Sequence, residues 1–271
     1  MAVLIAASKL DPAGVNIAQR LLEKYGFRET DRLFDGGPVY RRGDVFLVYL
    51  KGDTITAHYL TREFDVEAVI FVSRHECLSK RPMLTAHVPG NLGWEATHGG
   101  RPRELAWAHP QRVKAALLAL RSAVDRLGLD YPATMEATHH GPTELSVPAM
   151  FVEIGSTPER WVDEEAAEAV AEAAWAAATN PARGRSAVGY GGSHYAPKQT
   201  KASVELDVAV GHVVPKYAFR DEPDEWLARE PVRRTWGGCE AAVIDWKGTR
   251  GKTRKWLLKI LEEMDVEVIR V

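Results

Sequence analysis

The chain has 271 residues, 45% of them hydrophobic, 8% aromatic and 27% charged, a composition that fits a folded protein with a large core and excludes disordered, collagen-like and fibrous classes. Its 35 Lys and Arg residues face 37 Asp and Glu residues for a net charge of −2, so no bulk positive field marks a nucleic-acid binder and any RNA contact has to be local. The two cysteines, Cys77 and Cys239, supply neither a disulfide framework nor a four-cysteine zinc site, and both read as inert thiols.

The first apolar run, Ala2–Ala7, has no basic region before it and is far shorter than the roughly 20 residues of a membrane span. It predicts a strand over Val3–Ala7 and a cytoplasmic protein. Asp11 as N-cap and Pro12 at the first helical position open a helix with Ile17, Leu21 and Leu22 on one face, ending near Gly26. Strands are expected at Val45–Leu50, Ala68–Val72 and Leu84–Val88. A helix follows from Pro110, with Val113, Leu117, Leu120, Val124 and Leu127 on one stripe and Gly128 as its stop. Ala133–Thr138 and Pro148–Ile154 read as strands, and an Ala-rich helix runs from Ser156 or Thr157 to about Ala178. Strands at Ser186–Tyr190, Val204–Val210, Ala241–Trp246 and Val266–Val271 and a helix over Thr253–Met264 complete the pattern. The stretch 218–238 is the least regular, and reads as an active-site lid or a long surface connection. Strands alternating with helices, with no internal repeat and no linker, predict one α/β domain over residues 1–271, a single layered mixed sheet flanked by helices.

Histidines in Gly-punctuated loops after strands give the strongest chemical signal: Thr138-His139-His140-Gly141-Pro142, and Gly191-Gly192-Ser193-His194-Tyr195. Imidazole near neutral pH serves as a general base or as a neutral zinc ligand, and spacing does not choose between them. His75, His87 and His212 lie at or near strand ends and are candidates to complete the cluster. Adjacent His139 and His140 share one site only if the chain turns between them. Glu136 and Glu153 are candidate carboxylate partners, as ligands or as orienters of an imidazole. No G-x-S-x-G elbow is present and Ser193 reads as a turn residue, which favours activated water over a serine nucleophile. Lys247-Gly248-Thr249-Arg250-Gly251-Lys252-Thr253 imitates a phosphate loop but has Trp246 where the first glycine belongs. Its cations, with Arg254, Lys255 and Lys259, instead suit local binding of nucleic-acid phosphates at a helix start, or form a solvated basic face.

Taken in order, Ser73-Arg74-His75, Leu84-Thr85-Ala86-His87-Val88-Pro89-Gly90-Asn91, Ala137-Thr138-His139-His140-Gly141-Pro142-Thr143, Val152-Glu153-Ile154-Gly155-Ser156, Gly191-Gly192-Ser193-His194-Tyr195-Ala196-Pro197, Gly211-His212 and Asp245-Trp246-Lys247-Gly248 resemble the archaeal and plant type of D-aminoacyl-tRNA deacylase. Cys77 and Leu78 depart from that pattern, where polar residues are expected. The resemblance implies hydrolysis of the ester between a D-amino acid and the terminal adenosine of tRNA. It also implies association with zinc and a fold similar to the phosphorylase and peptidyl-tRNA hydrolase group. On that basis His139, His140, His194 and Glu153 are the catalytic candidates, and His75, His87, His139 and His194 the candidate metal ligands. Backbone amides around Gly141, Gly191 and Gly192 are candidate oxyanion donors, Tyr195 or Trp94 a platform for the terminal adenine, and Arg250, Lys252, Arg254 and Lys255 the partners of acceptor-stem phosphates. The alternatives are a zinc hydrolase of small esters or peptides and a non-catalytic RNA-binding protein.

Overall fold

A computed structural model describes residues 2–219 and 223–271. The first part of the chain forms β1 (Val3–Ser8), α1 (Pro12–Tyr25), β2 (Arg28–Phe34), β3 (Gly37–Arg42), β4 (Val45–Leu50), α2 (Leu60–Glu63), β5 (Ala68–Glu76) and β6 (Met83–His87). The middle forms β7 (Gly90–Asn91), β8 (Glu104–Leu105), α3 (Pro110–Leu127), β9 (Ala133–Met135), β10 (Ala149–Ser156), α4 (Pro158–Trp161) and α5 (Glu164–Thr179). The last third forms β11 (Arg185–Tyr190), α6 (Pro197–Glu205), β12 (Val208–Val214), α7 (Glu225–Arg233), β13 (Ala241–Ile244), α8 (Gly251–Glu263) and β14 (Glu267–Arg270).

The large mixed sheet has eight strands in the order β2-β3-β4-β1-β5-β10-β6-β9. Its centre, β4-β1-β5-β10, is parallel, and β6 runs antiparallel to β10. A second sheet, parallel throughout, has the order β12-β11-β13-β14. Strand alternation sorts the side chains. Val3, Ile5 and Ala7 of β1 join the cluster around α1, α3 and α5, whereas Leu4 and Ala6 join Phe71 and Phe151 on the opposite face. Helix α3 packs on α5, on β6 and β9, and on β12, so the first cluster continues into Val208, Val210 and Val243 of the second sheet. On the far side of that sheet Val188, Tyr190 and Ile244 pack with residues of α7 and α8.

Asp11 caps α1 as expected, accepting from the amides of Ala13 and Gly14 at 2.9 and 3.2 Å, and Gly26 and Gly128 close α1 and α3 with φ of 65°. Several boundaries differ from the sequence reading. The expected helix from Ser156 to Ala178 is two: β10 extends through Ser156, α4 makes one turn, and Asp163 caps a new helix by accepting from Glu165 and Ala166. The strand expected over Val204–Val210 begins later, because Pro197 starts α6, which runs through Glu205, and sheet pairing takes Val208–Val214. Strands β2 and β3 have no counterpart among the expected elements; β2 is mostly exposed and charged, and is held by ladder bonds to β3 rather than by burial. Within 218–238, Asp224 accepts from the Trp226 amide and caps α7; residues 220–222 of that stretch lie outside the described residues. No described helix is long and apolar enough to cross a membrane.

Candidate active site

On one face of the large sheet the side chains change from apolar to ionisable as the strands approach one end. Phe71 gives way to Ser73 and His75 on β5, and Phe151 to Glu153 on β10, while Thr85 and His87 lie on the same face of β6, with Glu153 opposite Thr85 in the ladder. Glu136 follows β9 directly, and His139 and His140 come three and four residues later. His140 adopts φ of 44°, the turn needed for adjacent histidines to share a site, and the two ring centroids are 4.4 Å apart. The loop after β11 then delivers His194.

Glu136 stands in the middle. Its Oε1 is 3.0 Å from His75 Nδ1 and 3.7 Å from His194 Nε2, and its Oε2 is 3.4 Å from His87 Nδ1 and 3.9 Å from His139 Nε2. Glu153 accepts from Ser73 Oγ at 2.6 Å and lies 3.7 Å from His75 Nδ1. Two imidazoles have their tautomers fixed by main-chain carbonyls: His139 Nδ1 donates to Ala137 O at 2.8 Å and His140 Nδ1 to Gly141 O at 2.7 Å. Each therefore turns a bare Nε2 inward. His194 Nδ1 is 3.0 Å from the Tyr217 hydroxyl, and His75 Nε2 is 2.8 Å from that of Tyr195.

Burial, followed by mutual repulsion among the imidazoles, holds His87 and His139 far below the ordinary histidine range. His140 and His194 are also held low, chiefly by burial. Burial would lower His75 too, but Glu136 and Glu153 outweigh it and raise it. Glu136 is pushed up by burial. The centre thus sets neutral imidazoles beside two carboxylates that face His75.

Among the described residues, three overlapping groups have ligand atoms close enough to hold a metal ion: His87, His139 and His140; Glu136, His139 and His194; and His75, Glu136 and Glu153. The donor set fits a cation on its own chemistry. Both Glu136 oxygens and His87 Nδ1 are buried without hydrogen-bond geometry to any partner, although nitrogens approach them. His87 Nε2 is 3.3 Å from His140 Nε2, which is bare. A proton on His87 Nδ1 sets two lone pairs against each other there, and a proton on Nε2 sets a lone pair against Glu136.

Of the residues singled out from sequence, His75, His87, His139, His140, His194 and Glu153 are brought together; His212 is not. Its Nε2 donates to Ala106 O at 3.0 Å and its Nδ1 meets Thr138 Oγ1 at 3.0 Å, inside the fold. The amides of the three candidate oxyanion glycines donate within the fold: Gly141 to His98 O, Gly191 to Val214 O and Gly192 to Gly248 O. Arg254 is likewise engaged, its guanidinium bonded to Trp246 O and to Thr249 O and lying 4.7 Å over the Trp246 ring. Lys252 and Lys255 are exposed at the start of α8. Tyr195 is tied to His75 by its hydroxyl rather than presented as an open platform. Hydrogen bonding with Ser79 and Tyr195 lowers the Cys77 thiol to about 7, whereas burial pushes Cys239 up to about 11. The sequence reading missed Tyr217, which lies in the single 3-10 turn Lys216–Ala218, too short to leave a periodic signal.

Two cavities meet at the centre. One of about 730 Å³ is lined by Trp94, Arg103, Tyr217 and Trp226, the other of about 340 Å³ by Ile55, His75 and Glu153, and both reach His139 and His140. Neutral bases, buried carboxylates and room on either side for the two halves of a substrate define a hydrolytic enzyme on a mixed α/β scaffold.

The profile of the D-aminoacyl-tRNA deacylase family matches residues 62–269. Relatives named D-aminoacyl-tRNA deacylase include one from Pyrococcus horikoshii, 42% identical over 98% of this chain and 99% of its own length. Another, from Archaeoglobus fulgidus, is 37% identical over 98% of this chain and 95% of its own. The crystal structure of a conserved protein of unknown function is similar throughout, with a TM-score of 0.89 at 37% identity, covering 99% of this chain and 95% of that one. The chain belongs to the D-aminoacyl-tRNA deacylase family.

Proposed function

We propose that the protein hydrolyses the ester joining a D-amino acid to the terminal adenosine of tRNA, releasing free D-amino acid and reusable tRNA. The observation that carries this reading is the convergence of five histidines and two buried glutamates on one centre between two cavities, in a chain that aligns with named deacylases from end to end. An aminoacyl ester is already activated, so the enzyme needs a positioned water, a base and stabilisation of the tetrahedral oxyanion. His139, His140 and His194 are neutral at working pH and offer nitrogens that take a proton from water as it adds to the carbonyl. Collapse of the intermediate breaks the bond to the ribose oxygen, which takes the proton back. Glu136 and Glu153 fix His75, and Ala137 O and Gly141 O fix the rings of His139 and His140.

Zinc suits this donor set, held by one of the three overlapping groups (His87, His139 and His140; Glu136, His139 and His194; or His75, Glu136 and Glu153), and a histidine outside the occupied group then acts as the base. Bound there it would supply Lewis acidity, acidifying water and polarising a carbonyl oxygen. Arg250, Lys252 and Lys255 at the start of α8 are assigned to acceptor-stem phosphates, and the working compartment to the cytoplasm, where aminoacyl-tRNA is used.

The deciding measurement is deacylation of D-Tyr-tRNA and L-Tyr-tRNA by purified protein, with and without prior chelation, beside His139→Ala. The expected result is loss of the D-ester alone, slowed at least about 100-fold in the variant and restored to the chelated protein by zinc. Equal rates on both esters, or none on either by folded protein, would overturn the reading.

A further inference from the structure

The two cavities differ in what surrounds them. In the larger, the Arg103 guanidinium lies 5.1 Å from the Trp94 ring and 4.4 Å from that of Trp226, and is held there by two hydrogen bonds to Asp224 at 2.6 and 2.9 Å. This stack is fixed at one end, where Asp224 caps α7, yet Trp94 is 76% exposed. Leaving a large ring in water forgoes its burial, and a ring backed by a guanidinium is a platform for an unpaired base. In the smaller cavity the guanidinium of Arg74 lies 5.5 Å from the ring of Trp161, which is not part of the lining. Asp53, Glu76 and Glu153 place carboxylates around the cavity, against the single guanidinium of Arg74, and Ile55 and Phe151 give it an apolar wall. Such a lining matches an α-ammonium with a side chain attached. His139 and His140 border both cavities, so a substrate laid across the boundary has its ester at the imidazoles.

We infer that the substrate lies with its terminal adenosine in the larger cavity, the base on the Trp94–Arg103–Trp226 stack, and its aminoacyl group in the smaller one, with Trp94 setting affinity for the nucleoside and Ile55 limiting the amino-acid side chain. This rests on the deacylase reading and assigns each half of that substrate to a chamber.

The test uses non-hydrolysable amides, D-tyrosine or D-alanine joined to aminodeoxyadenosine, and the D-tyrosine amide of the same aminosugar lacking the base. Their affinities are measured by titration calorimetry for zinc-loaded full-length protein. Wild type is expected to bind the adenosine amide about tenfold or more tightly than the baseless one. Trp94→Ala should abolish that preference without weakening the baseless probe, and Trp94→Phe should retain most of it. Ile55→Phe should weaken the D-tyrosine probes several-fold while leaving the D-alanine probe within twofold. A wild type indifferent to the base, a Trp94→Ala variant that keeps the preference or weakens both D-tyrosine probes alike, or an Ile55→Phe variant that treats the amino acids equally would overturn the assignment. Failure of the deacylase reading is distinct: wild type then leaves D-Tyr-tRNA intact, whichever probes it binds.

Discussion

Glu136 carries more of the centre than any single histidine, because its two oxygens face four imidazoles and it has no conventional hydrogen-bond donor of its own. Glu136→Gln keeps the shape and removes the charge. Zinc affinity should fall about 10–100-fold, with turnover falling alongside it, as checked by metal content after dialysis and by D-Tyr-tRNA turnover. Its circular dichroism should stay that of wild type. His212 offers a contrasting case outside the centre. It is fully buried and titrates near 4 when folded against 6.5 when free, chiefly because burial disfavours its charge. Between those values the unfolded chain takes up a proton that the folded one refuses, so stability is intact above about 6.5 and declines as pH falls toward 4. His212→Gln should remove roughly 3 kcal/mol of that decline, read from urea unfolding midpoints at a series of pH values. Both histidine roles look alike in sequence, a strand-end imidazole near glycine. Only the partners, Ala106 O and Thr138 for one and bare nitrogens and carboxylates for the others, separate them.

Elements with strong local punctuation are legible in the sequence alone. Asp11, Pro12 and Gly26 bracket α1, and Pro110 and Gly128 bracket α3, since caps and stops act over a few residues. Asp11 also accepts from the Arg74 amide at 2.8 Å, tying the start of α1 to the end of β5 beside the site. Asp11→Ala should cost about 1–3 kcal/mol, measured as a shift in the denaturation midpoint. Glycine at 191 is required rather than convenient. Its φ is +85°, and an added Cβ would stand 2.0 Å from Thr249 Oγ1. Gly191→Ala is therefore expected to destabilise by about 1–3 kcal/mol or more, with Thr249→Ala in the same chain recovering part of it. Elements held by pairing are not legible in this way. Strand β2 has an exposed, charged sequence that reads as surface, and becomes a strand through its ladder with β3. The start of the expected strand at Val204 is claimed by α6 instead, because a short apolar run satisfies either period until a neighbour fixes it.

Across the whole molecule, α3 joins the parts. Arg112 donates to Ala177 O and Ala178 O and pairs with Glu67, while Lys114 donates to Leu206 O and Val208 O at 2.9 Å, so two buried cations bind the last turn of α5 and the entrance to β12 to one helix. Lys114→Met should cost about 1–3 kcal/mol by leaving buried carbonyls unpaired, seen as a lower thermal midpoint. Zinc at the proposed centre would need Glu136, the β10 carboxylate, strands β5 and β6 and the loops after β9 and β11 already assembled, so saturating zinc at 100 times Kd should add about 2.7 kcal/mol to folding. Chelation should reverse that gain in a calorimetric scan. The sequence by itself determined the α/β class, the ends of α1 and α3, the histidine loops and the family likeness, since composition, caps and residue identity are local properties of a chain. Tertiary structure decided that the strands divide among more than one sheet, that Glu136 is central, that His212 is bonded to Ala106 O inside the fold, that Arg254 is bonded to Trp246 O and Thr249 O, and that the three glycine amides already donate to carbonyls. Each of these depends on which distant groups occupy a donor or acceptor, and strand order and register settle that only when the chain is folded.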